Sequence, residues 1–228
     1  MTDQKILIIG SGFAAAANLI HLVEAGIKPS KITIVGPGQL GRGNAYGCDD
    51  DDFRLNVRAN LMWIWPDRRD DFGNWAKTHI TDDKDAMRHS GMFYRRRDFG
   101  RYVASRVDAV LAGAGDQDHA ITHYPQIVTK LGKIDQGGWQ AECSDGRLIR
   151  ADLVLLATGN PPPQWPCPIH GEMAQLPKLE NRLVQNPWNG QWLDHLPAQS
   201  RLAIVGGGLT ALDAVTALAR RDHQGSVF

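Results

Sequence analysis

The sequence predicts an α/β fold built on a parallel sheet. Three observations predict it. An apolar run, a glycine turn, a helical run and a β-branched run follow one another over residues 5–35. Short β segments broken by Gly137-Gly138 and Asp145-Gly146 fill residues 126–156. The apolar run, glycine turn and helical run then recur over residues 202–221.

Residues 5–9 (Lys-Ile-Leu-Ile-Ile) read as a short buried strand. Gly10-Ser11-Gly12 turns the chain, and residues 13–26 read as an Ala- and Leu-rich helix stopped by Gly26. Residues 31–35 (Lys-Ile-Thr-Ile-Val) are a second strand, which completes a parallel βαβ unit. Glycines at 36, 38, 41, 43 and 47 make residues 36–60 a loop. Its acidic run, Asp49 to Asp52, has no ligand spacing around it and reads as a solvated loop rather than a cation site. Helices are expected over 71–78 and 98–113, the second capped by Asp98 and ended by Gly113.

A three-stranded meander follows. Gln126–Asp135 and Trp139–Cys143 are joined by the Gly-Gly turn. Asp145-Gly146 predicts a hairpin with positive φ at both positions. Leu153 to Leu156 and Leu202 to Val205 each read as a buried strand. Between them, eight of the twelve prolines fall in residues 161–198, marking an irregular connection. The chain therefore divides into a first unit over residues 1–160, a proline-rich segment over 161–198, and the first strand and helix of a second unit over 199–228.

Composition narrows the function. Lys+Arg and Asp+Glu are both 25, so the formal charge is zero. A nucleic-acid binder or a polybasic membrane anchor would carry a basic excess. The 228 residues amount to about one and a half domains. Cys48, Cys143 and Cys167 form no C-x-x-C pair, which excludes a disulfide framework, a zinc knuckle and a redox dithiol. Sparse free thiols fit a reducing, cytoplasmic compartment. The apolar stretch from Ile6 to Ile20 resembles a signal peptide, but Gly10 and Gly12 interrupt it at a spacing better explained by a ligand-binding turn. No stretch reaches the ~18 apolar residues of a membrane span. No Gly-x-Ser-x-Gly elbow is present. His119 and His123 lack the setting of a metal pair, and Trp63 and Trp65 read as core aromatics rather than a stacking platform.

The chemistry is carried by Gly10-x-Gly12-x-x-Ala15, set between a strand and a helix. Gly10 permits the tight turn, Gly12 lets the backbone approach a pyrophosphate, and Ala15 permits close helix–strand packing. The phosphates would sit on the free N–H groups of the helix N-terminus. This is the signature of a Rossmann-like dinucleotide site. The acidic residue expected at the end of the second strand is replaced by Gly36. Arg42 nearby offers a contact for a 2′-phosphate, although a solvated arginine is the simpler reading. Gly206-x-Gly208-x-x-Ala211 repeats the pattern, and two such units in one chain point to two dinucleotides. The second unit has no visible partner strand before Phe228.

With the meander and the segment Asp152-Leu-Val-Leu-Leu-Ala-Thr-Gly159 added, the chain resembles flavoproteins with two dinucleotide-binding domains. More narrowly, it is similar to the bacterial FAD/NAD(P)-binding family that includes FAD-dependent urate hydroxylase and aspartate N-hydroxylase-like enzymes. The narrower resemblance rests on Leu40-Gly-Arg-Gly-Asn-Ala-Tyr46, Leu55-Asn-Val-Arg-Ala59 with Met62, Asp71-Phe-x-x-Trp75, and Phe93-x-x-Arg96-x-x-Phe99-Gly100-x-Tyr102. Arg58 stands where that family has proline.

The resemblance implies a Rossmann-like FAD domain with a meander, followed by the start of an NAD(P) unit. It implies FAD and NAD(P)H as cofactors, and a flavin-dependent oxidoreductase or monooxygenase acting on a small molecule. No nucleic-acid or membrane partner is expected. Gly10, Ser11, Gly12, Phe13 and Ala15 are the expected FAD-binding turn. Arg42, Asn56 and Arg96 are expected to line the flavin site, with Thr158 and Gly159 beside it. Gly206, Gly208 and Thr210 are expected to hold the nicotinamide cofactor. The resembled architecture continues beyond this point of the chain, so one rival is a truncated, non-catalytic nucleotide-binding fragment; Gly36 and Arg42 suggest a second, an NADP-binding reductase or regulator without FAD.

Overall fold

The first apolar run becomes β1 (Ile6–Ile9), with all four residues buried. The computed structural model describes residues 4–113, 120–135, 137–165, 168, 170 and 182–228. After β1 come α1 (Phe13–Glu24), β2 (Ile32–Val35), the one-turn α2 (Gly43–Tyr46) and α3 (Asp71–His79). The two-residue strands β3 (Met87–Arg88) and β4 (Gly91–Met92) pair as a small ribbon ahead of α4 (Arg96–Gly113). Then come β5 (Thr122–Tyr124), β6 (Val128–Lys133), β7 (Trp139–Cys143), β8 (Leu148–Ala151) and β9 (Leu153–Leu156). The last helix is α5 (Leu209–Arg220).

The central sheet has the order β5-β2-β1-β9, and every pair in it is parallel. Alternation along β1 sorts its side chains onto two faces. Ile6 and Ile8 join Ile32 and Ile34 under the helices, where Ala15, Ala16, Leu19 and Ile20 of α1 pack. Leu7, Ile9 and Val35 face the meander through Ala141, Cys143 and Ala151. The result is three layers, helices on sheet on meander, with β1 buried on both sides. Asp152, between β8 and β9, sets the register, accepting from the Lys5 N–H at 2.7 Å and donating its own N–H to the Lys5 carbonyl.

A second cluster fixes α3 against α4. Phe72 lies edge-on to Phe99 at 5.0 Å and within 5.1 Å of Tyr102. The Tyr102 hydroxyl donates to Asp71 at 2.7 Å, and Arg106 holds the same carboxylate. Burial and that carboxylate raise the Tyr102 pKa. Trp65 is buried as expected and donates to Glu24 at 2.7 Å.

Several expectations are corrected. The helix expected from Asp98 begins at Arg96, and Asp98 is no cap: it is fully buried between Arg95 and Arg101. At the Asp145-Gly146 hairpin only Gly146 has positive φ. The Cys143 carbonyl accepts from the Gly146 N–H and the Cys143 N–H reaches the Arg147 carbonyl, so the loop has three residues and needs one left-handed position. The Leu153–Leu156 run is not buried. Among the described strands β9 pairs only with β1, and Leu156 is 69% exposed at that sheet edge. Leu202 to Val205 is likewise neither a regular strand nor buried. It does have a partner: Leu202 bridges Val227 in parallel, and Ile204 donates to the Phe228 carbonyl. A fourth strand of the parallel sheet, β5, which pairs with β2, is hidden in the sequence by its three-residue length.

The acidic run is solvated at only two of its four positions: the Asp49 and Asp51 side chains are exposed, while those of Asp50 and Asp52 are only 9% exposed. Asp49 pairs with Arg42, Asp51 with Arg97, and Asp50 and Asp52 with Arg221 at 2.6 and 3.0 Å. Arg220 adds a contact to Asp52 at 2.8 Å. Asp50 and Asp52, with Asp85, receive the C-terminal end of α5. Around it Cys48, Phe53, Leu193, Ala217 and Leu218 form a small apolar core.

Candidate functional site

The site grows from the turn after β1. Gly10 holds φ +122° and donates to the Val35 carbonyl at 2.7 Å. A Cβ there would overlap the Ala157 carbonyl, whose carbon would lie 2.6 Å away, with the Thr158 nitrogen at 3.3 Å. Gly10 and Thr158 are therefore neighbours across the ends of adjacent strands. Gly159 follows in left-handed conformation at φ +67°.

Ser11 is buried, its hydroxyl donating to the Pro37 carbonyl, while its own carbonyl accepts from the Gly41 N–H at 2.7 Å. Gly12 caps α1 at φ −79°, ψ −166°, and no side chain bonds the first turn of that helix. The first-turn backbone N–H groups there have no side-chain cap among the described residues. Phe13 turns inward to Tyr46 and Phe99, with ring centroids 6.3 and 5.5 Å away. Ala15 is fully buried under the sheet.

The missing acid has a steric explanation. A Cβ at Gly36 would lie 2.5 Å from both the Gly10 carbonyl carbon and the Ser11 nitrogen. The Gly10–Ser11 backbone occupies the place a side chain at residue 36 would need. Gly36→Asp is therefore expected to destabilise the protein by about 2–3 kcal/mol and to weaken flavin retention rather than strengthen it. Urea denaturation and the flavin content of the purified variant check both parts.

Arg42 sits beside the turn but is not a free arginine. It pairs with Asp49 and contacts the Tyr46 carbonyl at 3.4 Å. Gly43 crosses over Gly12, so close that a Cβ on Gly43 would lie 2.8 Å from the Gly12 Cα. Asn56 and Arg96, forty residues apart, do meet: Arg96 Nη2 donates to Asn56 Oδ1 at 2.9 Å. The same nitrogen donates to Asp213 of α5 at 3.1 Å, and Arg96 Cζ lies 5.4 Å from the Trp188 ring centroid. Arg96 is buried, and its Nε has no hydrogen-bond partner. Burial raises the Asp213 carboxyl pKa, and the Arg96 charge opposes that rise.

Asp213 and Trp188 are absent from the residues that the sequence suggests for the site. One available signal was Asp213 itself, the only acid in the helix Leu-Thr-Ala-Leu-Asp-Ala-Val-Thr-Ala-Leu-Ala-Arg.

The second glycine turn copies the first. Gly206 has φ +120°, against +122° for Gly10. Gly208 caps α5 at φ −79°, ψ −179°, again without a side-chain cap bond. Nothing lies within 4 Å of a Cβ placed at Gly206, Gly207 or Gly208. Thr210 is on the first turn of α5, half-buried.

His123 contacts the Gly36 carbonyl at 3.0 Å, His119 lies outside the described residues, and no group of His, Cys, Asp and Glu among the described residues could hold a metal. Cys48 and Cys143 are free, buried thiols with pKa values raised by burial; Cys167 lies outside the described residues. No described helix is long and apolar enough to cross a membrane.

Residues 7–161, well over half the chain, match the protein family described as FAD-NAD(P)-binding. The chain belongs to that family. Its cofactors, FAD and NAD(P), are compatible with the glycine turn after β1 and with a helix N-terminus that no side chain caps. No curated protein matches the chain.

Solved structures share the fold of this FAD-NAD(P)-binding chain. A cyclohexanone monooxygenase mutant from Rhodococcus sp. Phi1 bound to NADP+ superposes with a TM-score of 0.63 at 18% identity, covering 99% of this chain and 38% of its own. Closed cyclohexanone monooxygenase gives 0.62 at 16% identity, covering 99% and 38%. OTEMO in complex with FAD and NADP gives 0.59 at 14% identity, covering 96% and 37%. The chain thus spans under two-fifths of the length of these proteins.

Proposed function

We propose that this chain is the cofactor-binding part of a FAD-dependent, NAD(P)H-linked oxidoreductase that hydroxylates a small molecule. The observation that carries the reading is the pair of glycine turns with matching backbone geometry, one at the head of α1 and one at the head of α5. A single nucleotide needs one such cradle. The similarity to flavin monooxygenases in complex with FAD and NADP supports the assignment of two. Within that class, the segments around Leu40–Tyr46 and Phe93–Tyr102 favour the urate hydroxylase and N-hydroxylase-like enzymes.

In this reading the first-turn N–H groups of α1 hold the FAD pyrophosphate, and Gly12 lets it approach. Thr158 and Gly159 border the same turn. Arg96, held by Asn56 and Asp213, offers its Nε to the flavin. Gly206, Gly208 and Thr210 hold the nicotinamide cofactor at the head of α5. When bound, the flavin would supply the redox chemistry that links NAD(P)H to oxygen. The side chains position and desolvate it. The cytoplasm is the proposed compartment.

The test is to express the complete reading frame and examine the purified protein. Bound flavin, with oxidation of NADH or NADPH in its presence, is the expected result. Colourless protein that takes up no flavin on reconstitution overturns the proposal, and favours a reductase or regulator that binds NADP alone.

A further inference from the structure

A depression of about 460 Å³ opens between α3, the turn after Arg58 and the ribbon of β3 and β4. That volume lies in the range of small-molecule sites. Ala59, Gly73 and Met92 line its buried or half-buried part, and the polar residues around them are exposed. Asp70, Gly73, Asn74 and Lys77 stand at i, i+3, i+4 and i+7, so a single face of α3 makes one wall.

Gly73 lies inside α3, where glycine is less stable than alanine. Its φ is not positive, and a Cβ there would meet nothing within 4 Å. Neither backbone conformation nor packing requires glycine at this position. The space its missing side chain leaves belongs to the depression.

The charges on the rim are uncompensated. Arg58 and Lys77 form no ion pair among the described residues, whereas Arg54 and Arg95 nearby each hold a carboxylate. Arg58 reaches only the Ser90 carbonyl and Lys77 only Asn74 Oδ1, both at 3.4 Å. The stem of Arg58 lies across Gly91, whose φ is +137° and where a Cβ would come within 2.9 Å of the Arg58 Cδ. Packing of the stem thus places the guanidinium, and no carboxylate neutralises it. Asp70 makes no side-chain bond to the helix it precedes. Two cations against one carboxylate leave the rim net positive.

We propose that this depression binds a small polar molecule through a carboxylate or phosphate group held by Arg58 and Lys77. Hydroxyl or amine donors at the other end of the ligand meet Asp70, about 10 Å from Lys77 along the helix. Gly73 gives the ligand room against α3. The site is separate from both glycine turns and does not depend on the flavin assignment.

The test is isothermal titration of the protein from the complete reading frame with L-malate and with glycerol 3-phosphate, at constant ionic strength. At least one probe is expected to bind with a Kd below about 1 mM. The pair separates a carboxylate site from a phosphate site. Arg58→Gln and Lys77→Gln are each expected to weaken that binding about tenfold, as loss of a charge-assisted hydrogen bond does, with the melting temperature unchanged. Gly73→Ala is expected to raise the melting temperature and still weaken binding, a combination that a merely structural glycine would not give. Wild-type protein that binds neither probe overturns the proposal. So does binding that survives all three substitutions unchanged.

Discussion

Gly12→Val is expected to leave the purified protein without flavin. The cause lies in the ligand contact rather than in the fold. Gly12 has extended backbone angles that any residue adopts, and a Cβ there would meet only the Gly43 Cα, at an ordinary 3.7 Å. The side chain would instead stand over the first-turn N–H groups and hold a pyrophosphate away from them. Losing one or two hydrogen bonds to a charged group costs about 3 kcal/mol, roughly a hundredfold in affinity. Gly12→Ala serves as the fold control. Flavin stoichiometry and thermal unfolding, measured side by side, separate the causes. Wild-type flavin retention by Gly12→Val would reduce the motif to a structural turn.

Gly10→Ala is expected to do the opposite and damage the fold first. Gly10 holds φ +122°, which an L side chain rarely adopts, and its Cβ would be driven into the Ala157 carbonyl at the end of β9. Backbone carbonyls inside a parallel sheet cannot swing aside. Strain and overpacking together cost on the order of 3–5 kcal/mol, a fall in melting temperature of about 10 °C for a chain of this size. Denaturant unfolding of the apo protein checks this without reference to any cofactor. Apo stability equal to wild type would show that β1 and β9 are not packed through this contact.

Most of the first unit was legible along the chain because its signals are local. The β1–α1–β2 unit and the meander announce themselves by periodicity and by glycine at the turns, and the structure places them within two or three residues of the expected bounds. Both glycine turns were readable for the same reason. The errors cluster where the deciding partner is distant in sequence. Leu153 to Leu156 has the composition of a buried strand, but exposure depends on what pairs with its far side. Asp98 is an exception: it resembles a helix cap, but Arg95 and Arg101, only three residues away on either side, pair with it at the head of α4. Asp50 and Asp52 look solvated in the sequence because their arginines, 220 and 221, are some 170 residues away.

The sequence by itself determined the α/β class, the two glycine cradles and the pairing of each cradle with a helix N-terminus. Backbone conformation and short-range hydrogen bonding decide those, and both follow from neighbouring residues. Only the tertiary structure decided that no side chain fits at Gly36, that Asn56 and Arg96 meet, and that Asp213 of α5 pairs with Arg96 of α4. Excluded volume and charge pairing act through space, so they could be read only once the chain had closed on itself.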